Sequence, residues 1–225
     1  AYEIAQCLVG SEMCIRDRFN LTLLVDGGAD LHSYQPSAKD MAKISSADMF
    51  VYVGGSSDAW VFDAVRETVN KNMKKVNMME LLGDRAKEEE VVEGMQDDEH
   101  GHSHTASEDS HGEHEETDEI EYDEHIWTSL ENAQLLVSAI EDVFCEADPE
   151  HEKQFRDNAA AYREQIADVQ SEIEEIVDNA RVKKILFADR FPFLYFTQEF
   201  GLDYDAAFAG CVGDTEPSAR VIALS

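Results

Sequence analysis

Six of the eight histidines of this 225-residue chain fall between residues 100 and 125, in HGHSHTASEDSHGEHEETDEIEYDEH. Imidazole is the commonest side-chain ligand for borderline transition metals, and the interleaved Asp and Glu add attraction for any divalent cation. The types and spacing here point to metal binding before any other chemistry. His100, His102, His104, His111 and His114 stand in a stretch almost without large apolar residues, which is expected to stay mobile. A mobile tract takes up cations transiently but cannot preorganise a tetrahedron. A tight site needs imidazoles held by folded elements. His32, in GGADLHSYQPS, and His125, in EYDEHIWTSLENAQ, stand beside such elements. Each alone reads as a solvated surface histidine.

The elements that would hold them can be read along the chain. LTLLVD (21–26) and MFVYVGG (49–55) are apolar runs stopped by glycines, as buried strands are, and KKVNMMEL supplies a third short strand. Between them Pro36 opens a helical pattern to Ser46. Asp58 can cap a second helix through about Asn70, with Trp60, Val61, Ala64, Val65 and Val69 on one face. Strands alternating with helices indicate parallel βαβ units, and His32 lies just past a strand, where such folds bind ligands. A helix is expected over Ser129–Cys145. Phe155, Ala159, Tyr162, Ile166, Val169, Ile173, Ile176 and Ala180 then form one seam on a helix from about Pro149 to Arg181. That helix would span about 50 Å and join two lobes. A βα pattern resumes beyond it, with strands at KKILFAD (183–189) and YDAAFAG (204–210) and a helix from Pro192 to Phe200 closed by Gly201.

Composition narrows the partners. The formal net charge is −31, from 49 acidic and 18 basic residues. Such a chain repels nucleic acid and anionic membrane surfaces, and cations are its natural counterpart. Cys7, Cys14, Cys145 and Cys211 show no CxxC spacing, so a cysteine zinc site is not expected. Cys145 and Cys211 could pair or could be separate thiols. There is no HExxH word and no general base beside a ligand cluster, which argues against a zinc hydrolase. Residues 7–18, CLVGSEMCIRDR, resemble a translated sequencing-adapter read-through. Thr215-Glu216-Pro217 reads as a helix start with no stop signal after it, so the chain reads as a fragment whose export signal would lie upstream.

Several words together, GGADLHSYQPSAKDMAKISSADMFVYVGG, the His/acid loop, YDEHIWTSLENAQ, the long helix and FADRFPFLYFTQEFGLDYDAAFAG followed by EPSA, resemble the metal-specific solute-binding proteins of ABC importers, the zinc and manganese branch. The resemblance covers roughly residues 19–225. It implies an α/β fold of two Rossmann-like lobes joined by one long rigid helix, here truncated at both ends. The implied division is a non-native 1–18, an N-terminal lobe over 19–147 with an acidic mobile loop at 84–124, a linker helix over 148–182 and a partial C-terminal lobe over 183–225. His32 matches the first ligand position and His125 the second. At the third, Arg190 stands where His or Glu is expected, and a guanidinium has no lone pair to donate. Asp189 is the nearest oxygen donor and the expected third metal ligand, unless it pairs with Arg190; Glu216 is more remote. A fourth ligand would fall beyond Ser225.

The resemblance implies an extracytoplasmic receptor, periplasmic or a lipoprotein, that delivers Zn²⁺ to a membrane permease and acts as a monomer. The His-rich tract favours zinc, with Mn²⁺ as the alternative. Some relatives attach to host surfaces, which leaves an adhesive role open. The rival class is a metal buffer in which the tract itself is the function. Binding through neutral imidazoles implies an affinity that falls as pH drops through the imidazole range.

Overall fold

The computed structural model describes residues 19–25, 31–66, 68–90, 121–208 and 210. Cys7, Cys14, Cys211, Glu216, the 7–18 word and His100 to His114 lie outside the described residues.

The first α/β unit grows from the apolar run at 49–52. Strand β1 (Met49–Tyr52) pairs in parallel with β2 (Lys74–Asn77), in register Met49 to Lys74 and Tyr52 to Asn77. Alternation sends Met49, Val51 and Val76 into one cluster and Phe50 into another, so the sheet is buried on both faces. Helices α1 (Ala38–Ser46) and α2 (Ala59–Arg66) cover the second face, through Ile44, Val61 and Ala64. The other face is covered by α3 (Met78–Leu82), α4 (Leu130–Ala147) and the start of α5 (Glu152–Asn179).

Local chemistry sets the helix starts. Ser37 and Asp40 form a reciprocal capping box on α1, Asn77 accepts the Met79 and Glu80 amides at α3, and Ser129 accepts that of Asn132 at α4.

Beyond α5, β3 (Lys184–Arg190), α6 (Leu194–Phe200) and β4 (Asp203–Phe208) make a βαβ unit whose strands pair in parallel. Gly201 closes α6 at φ 61°. The class is therefore α/β, two units in parallel pairing joined through one long helix. Tyr195 of α6 is 1% exposed and lies in the core of the first unit, so the two units share packing.

Several sequence expectations differ from the structure. In 21–25 only Leu21 takes a bridge position and no strand forms among the described residues. Phe19 and Leu21 pack on the first core and Leu24 on the second, so these side chains are sheltered without a ladder. Helix α2 ends at Arg66, well before Asn70, and Val69 is exposed. Its amide is taken by Ser45, which holds the chain against α1 instead of extending α2. The MMEL of the third apolar word is helix α3, because the Asn77 cap ends the strand.

The long helix begins after a 3-10 turn at Pro149–His151 and runs 28 residues, about 42 Å. Its seam is buried only at its start. Phe155 and Ala159 are in the core, while Val169 and Ile176 are exposed. Helix α4 returns antiparallel along α5, with Arg163 on Glu141 and Gln134 on Gln170, and has only 18 residues to cover it.

The acidic segment placed at 84–124 is ordered at both ends. Gly83–Arg85 is a 3-10 turn, and Glu88 bridges Tyr122 in antiparallel fashion. The Glu89 amide donates to Glu121 and that of Asp123 to Lys87. The loop is thus a closed stem at 87–90 and 121–123.

Candidate metal centre

His32 is the central residue of a 3-10 turn, Leu31–Ser33. His125 immediately precedes another, Ile126–Thr128, and its carbonyl accepts both the Thr128 amide and the Thr128 hydroxyl. Ile126 is fully buried beneath it. Neither histidine is on a regular element, yet both are held: their side chains are 18% and 11% exposed.

The two rings meet although 93 residues separate them. His32 Nε2 lies 3.3 Å from His125 Nε2. A buried carboxylate decides the tautomer of His125. Asp123 Oδ1 accepts both the His125 backbone amide at 2.7 Å and its Nδ1–H at 3.0 Å. With the proton on Nδ1, Nε2 keeps its lone pair. On the other ring, Nδ1 meets Ser57 Oγ at 2.9 Å and the Glu124 carboxylate at 4.0 Å. With the His125 proton held on Nδ1, the contact between the two Nε2 atoms is a hydrogen bond donated by His32, and a cation between the rings would take the place of that proton. Zinc bonded to imidazole at about 2.0–2.1 Å has a tetrahedral N···N edge of about 3.3–3.4 Å. The pair stands at that edge already.

The surroundings are built from the carboxyl ends of strands. After β1 the chain turns through Gly54 and Gly55, both at positive φ (92° and 89°), and reaches Ser56 and Ser57. Asp58 accepts the Gly54 amide at 2.9 Å. Burial raises its carboxyl above the ordinary value, and the charge of Glu124 adds to the rise. From the second unit, Gly210, two residues past the end of β4, closes on the site. A Cβ on Gly210 would stand 2.8 Å from the Phe191 carbonyl and 3.2 Å from His125 Cε1. The backbone under His125 is also tied to that unit, since the Tyr195 hydroxyl donates to the Asp123 carbonyl and accepts the Lys87 amide.

Of the residues singled out in the sequence, the structure brings His32 and His125 together. It does not bring Asp189 to them. The register of β3 against β4 is irregular between Phe187 and Arg190, where β3 spends one more residue than its partner. Asp189, inside that irregularity, is exposed and accepts the Arg190 amide at 2.8 Å. Among the described residues no group of three or more His, Cys, Asp or Glu could hold a metal ion. Cys145 is a free, buried thiol, raised above its ordinary pKa by that burial, and its Sγ lies 3.9 Å from the Glu152 carbonyl.

Sequence reading missed Asp123, Glu124, Ser56, Ser57 and Gly210. The two acids had a signal, their position just before His125 in YDEH. The serines had none, because they reach Glu124 across 67 and 68 residues.

Comparison with known proteins follows the same line. The family described as zinc-uptake complex component A, periplasmic, matches residues 11–224. The zinc-binding lipoprotein AdcA of Streptococcus pneumoniae is 32% identical over 207 residues, covering 92% of this chain and 38% of its own length. The zinc-binding protein AdcA of Streptococcus pyogenes is 29% identical over 223 residues, covering 99% and 40%. This chain therefore spans about two fifths of these relatives. The crystal structure of Zn(II)-bound AdcA from Streptococcus pneumoniae superposes with a TM-score of 0.66 at 28% identity, over 92% of this chain and 38% of that one. A crystal structure of ZnuA gives a TM-score of 0.68 at 21% identity, over 92% and 68%, which speaks to the fold. With a match along nearly all of its length, the chain belongs to the zinc-uptake complex component A family.

Proposed function

We propose that this protein is an extracytoplasmic zinc receptor that binds Zn²⁺ between His32 and His125 and passes it to the permease of an ABC importer. The observation that carries the reading is the pair of Nε2 atoms 3.3 Å apart, each ring being engaged at its other nitrogen by a serine or a carboxylate. The family description, with its words zinc-uptake and periplasmic, supports the cargo and the compartment. The name zinc-binding lipoprotein borne by a 32%-identical relative supports both. Two nitrogen donors favour zinc, and manganese would need a donor set dominated by oxygen. The protein acts as a monomeric carrier: it binds and releases its ion and does no chemistry on it. His100, His102, His104, His111 and His114 serve as a collecting tract, raising the local zinc concentration. Asp189 joins the donor set only if β3 and β4 re-register around the ion.

Calorimetric zinc titration of three proteins tests this. Wild type is expected to show one tight site above weaker ones. The His32→Ala/His125→Ala double variant is expected to lose the tight site. Excision of residues 91–120 should leave it, and is expected to be tolerated because the stem already brings residues 89 and 121 within hydrogen-bonding distance, 3.0 Å. Loss of the tight site on excision, with its retention in the double variant, would overturn the reading in favour of the buffer. Preference for manganese in competition would reassign the cargo.

A further inference from the structure

Gly210 is buried, and its backbone is held between two groups that are themselves fixed. A Cβ there would stand 2.8 Å from the Phe191 carbonyl, 3.2 Å from His125 Cε1 and 3.3 Å from His125 Nδ1. Gly210 lies outside the positive-φ region that Gly54 and Gly55 occupy, so space, not backbone freedom, demands glycine here. On one side Phe191 is 2% exposed, packs with Leu194 and Ala206, and stacks on Tyr204 with ring centroids 3.7 Å apart. On the other, Asp123 Oδ1 holds the His125 ring at Nδ1, 3.0 Å away, and the Trp127 ring lies 5.8 Å from it. A methyl group between them would press on a backbone carbonyl, which has no rotamer to turn to. Either the His125 ring swings, carrying Nε2 away from His32, or the second unit lifts from the ring.

We propose that Gly210 is the positioning residue for His125, the point at which the second unit closes on the ring and sets how long a bound cation is retained. The contact covers Cε1 and Nδ1 and leaves Nε2 toward His32, 3.3 Å away. A cation leaves from between the rings only if one of them gives way, and His125 cannot move toward Gly210 while the second unit is seated. The contact therefore acts on release more than on capture, where most differences in affinity arise. The inference rests on the reading of His125 as a zinc ligand.

Measurements on the full chain separate the inference from that reading. In the metal-free wild type, a nuclear Overhauser contact is expected between the His125 ring proton on Cε1, assigned by its loss in His125→Gln, and the Gly210 α-protons. Zinc release is timed by chasing the loaded protein with excess chelator. Gly210→Ala is expected to release about 10-fold faster, with capture within about twofold of wild type. Phe200→Leu is the control: this side chain is buried on α6 against Phe196, and its loss is expected to lower the urea midpoint without changing release. Should Gly210→Ala fail to fold, Phe191→Leu slackens the backbone behind Gly210 and adds no atom to the contact. It is expected to weaken the Overhauser contact and to speed release by less. Release at the wild-type rate in Gly210→Ala, or in Phe191→Leu where that variant takes its place, would overturn the inference. Equal acceleration in Phe200→Leu, or no Overhauser contact in wild type, would do the same. A wild type with no tight zinc site would instead overturn the receptor reading, while the Overhauser contact, read without metal, would still stand.

Discussion

At the scale of single residues, the site depends on positions that carry no metal. Gly55 is the sharpest case. Its φ of 89° is one that L side chains rarely adopt, and an added methyl would strike Glu124 at Oε1 and Cγ, 2.5 and 2.7 Å away. Gly55→Ala is expected to cost about 1–3 kcal/mol, the usual charge for a side chain forced into that region, read from the urea midpoint. An unchanged midpoint would mean that the turn and Glu124 relax freely. His32 and His125 were legible as candidate ligands from the resemblance of their words to the family's, and the structure brings their rings together. Asp123 and Glu124 were present in the same word but read as part of a solvated acidic run, because charge in a sequence does not say whether it is buried.

At the scale of elements, two features lend themselves to measurement. The first is the cap of α1. The Ser37 hydroxyl, with Lys43, holds the Asp40 carboxyl down to about 2 from an ordinary 3.8. A depressed carboxyl contributes stability at pH above its unfolded value and loses it as pH falls through the folded one. Asp40→Asn is therefore expected to lower stability by about 1 kcal/mol at neutral pH. The gap should narrow from pH 4 toward pH 2, as followed by thermal melts across that range. A constant gap would show that the charge plays no part.

The second is the ion network across α4 and α5. Glu141, 6% exposed at its side chain, takes Arg163 at 2.6 Å and Arg156 at 3.0 Å. If Glu141 is lost, Arg156, half exposed, can turn to water and Arg163 keeps Ser138 at 3.1 Å, whereas the buried Glu141 keeps only Arg156 if Arg163 is lost. Arg163→Met is thus expected to destabilise by more than Glu141→Gln, in side-by-side urea unfolding. The reverse order would place the burden on the arginines. The apolar seam itself correctly announced a long helix. It did not announce that Val169 and Ile176 would be exposed, since periodicity records the face and not what covers it.

At the scale of the whole molecule, the hydroxyl of Tyr195 links the two units. It bridges the Lys87 amide and the Asp123 carbonyl, at 3.0 and 2.9 Å, beneath the segment that carries His125. Glu90 adds a second tie, accepting from Gln198 and from Tyr204. Tyr195→Phe keeps the packing and orphans two backbone groups, so it is expected to cost about 1–3 kcal/mol and to speed hydrogen exchange at Lys87. Slow exchange at Lys87 in the variant would show that the stem holds without it. The α/β class, the long helix and the pull toward metal were legible in local facts, namely apolar period, helix caps and the donor atoms of side chains, whereas His32 and His125 were picked out by the resemblance of their words to the family's. Only the tertiary structure decided that the rings meet Nε2 to Nε2, that Asp123 and Glu124 are buried behind them, and that Asp189 faces solvent. Those depend on contacts across 67 to 93 residues and on an irregularity in strand register, and neither leaves a mark in the local order of residues.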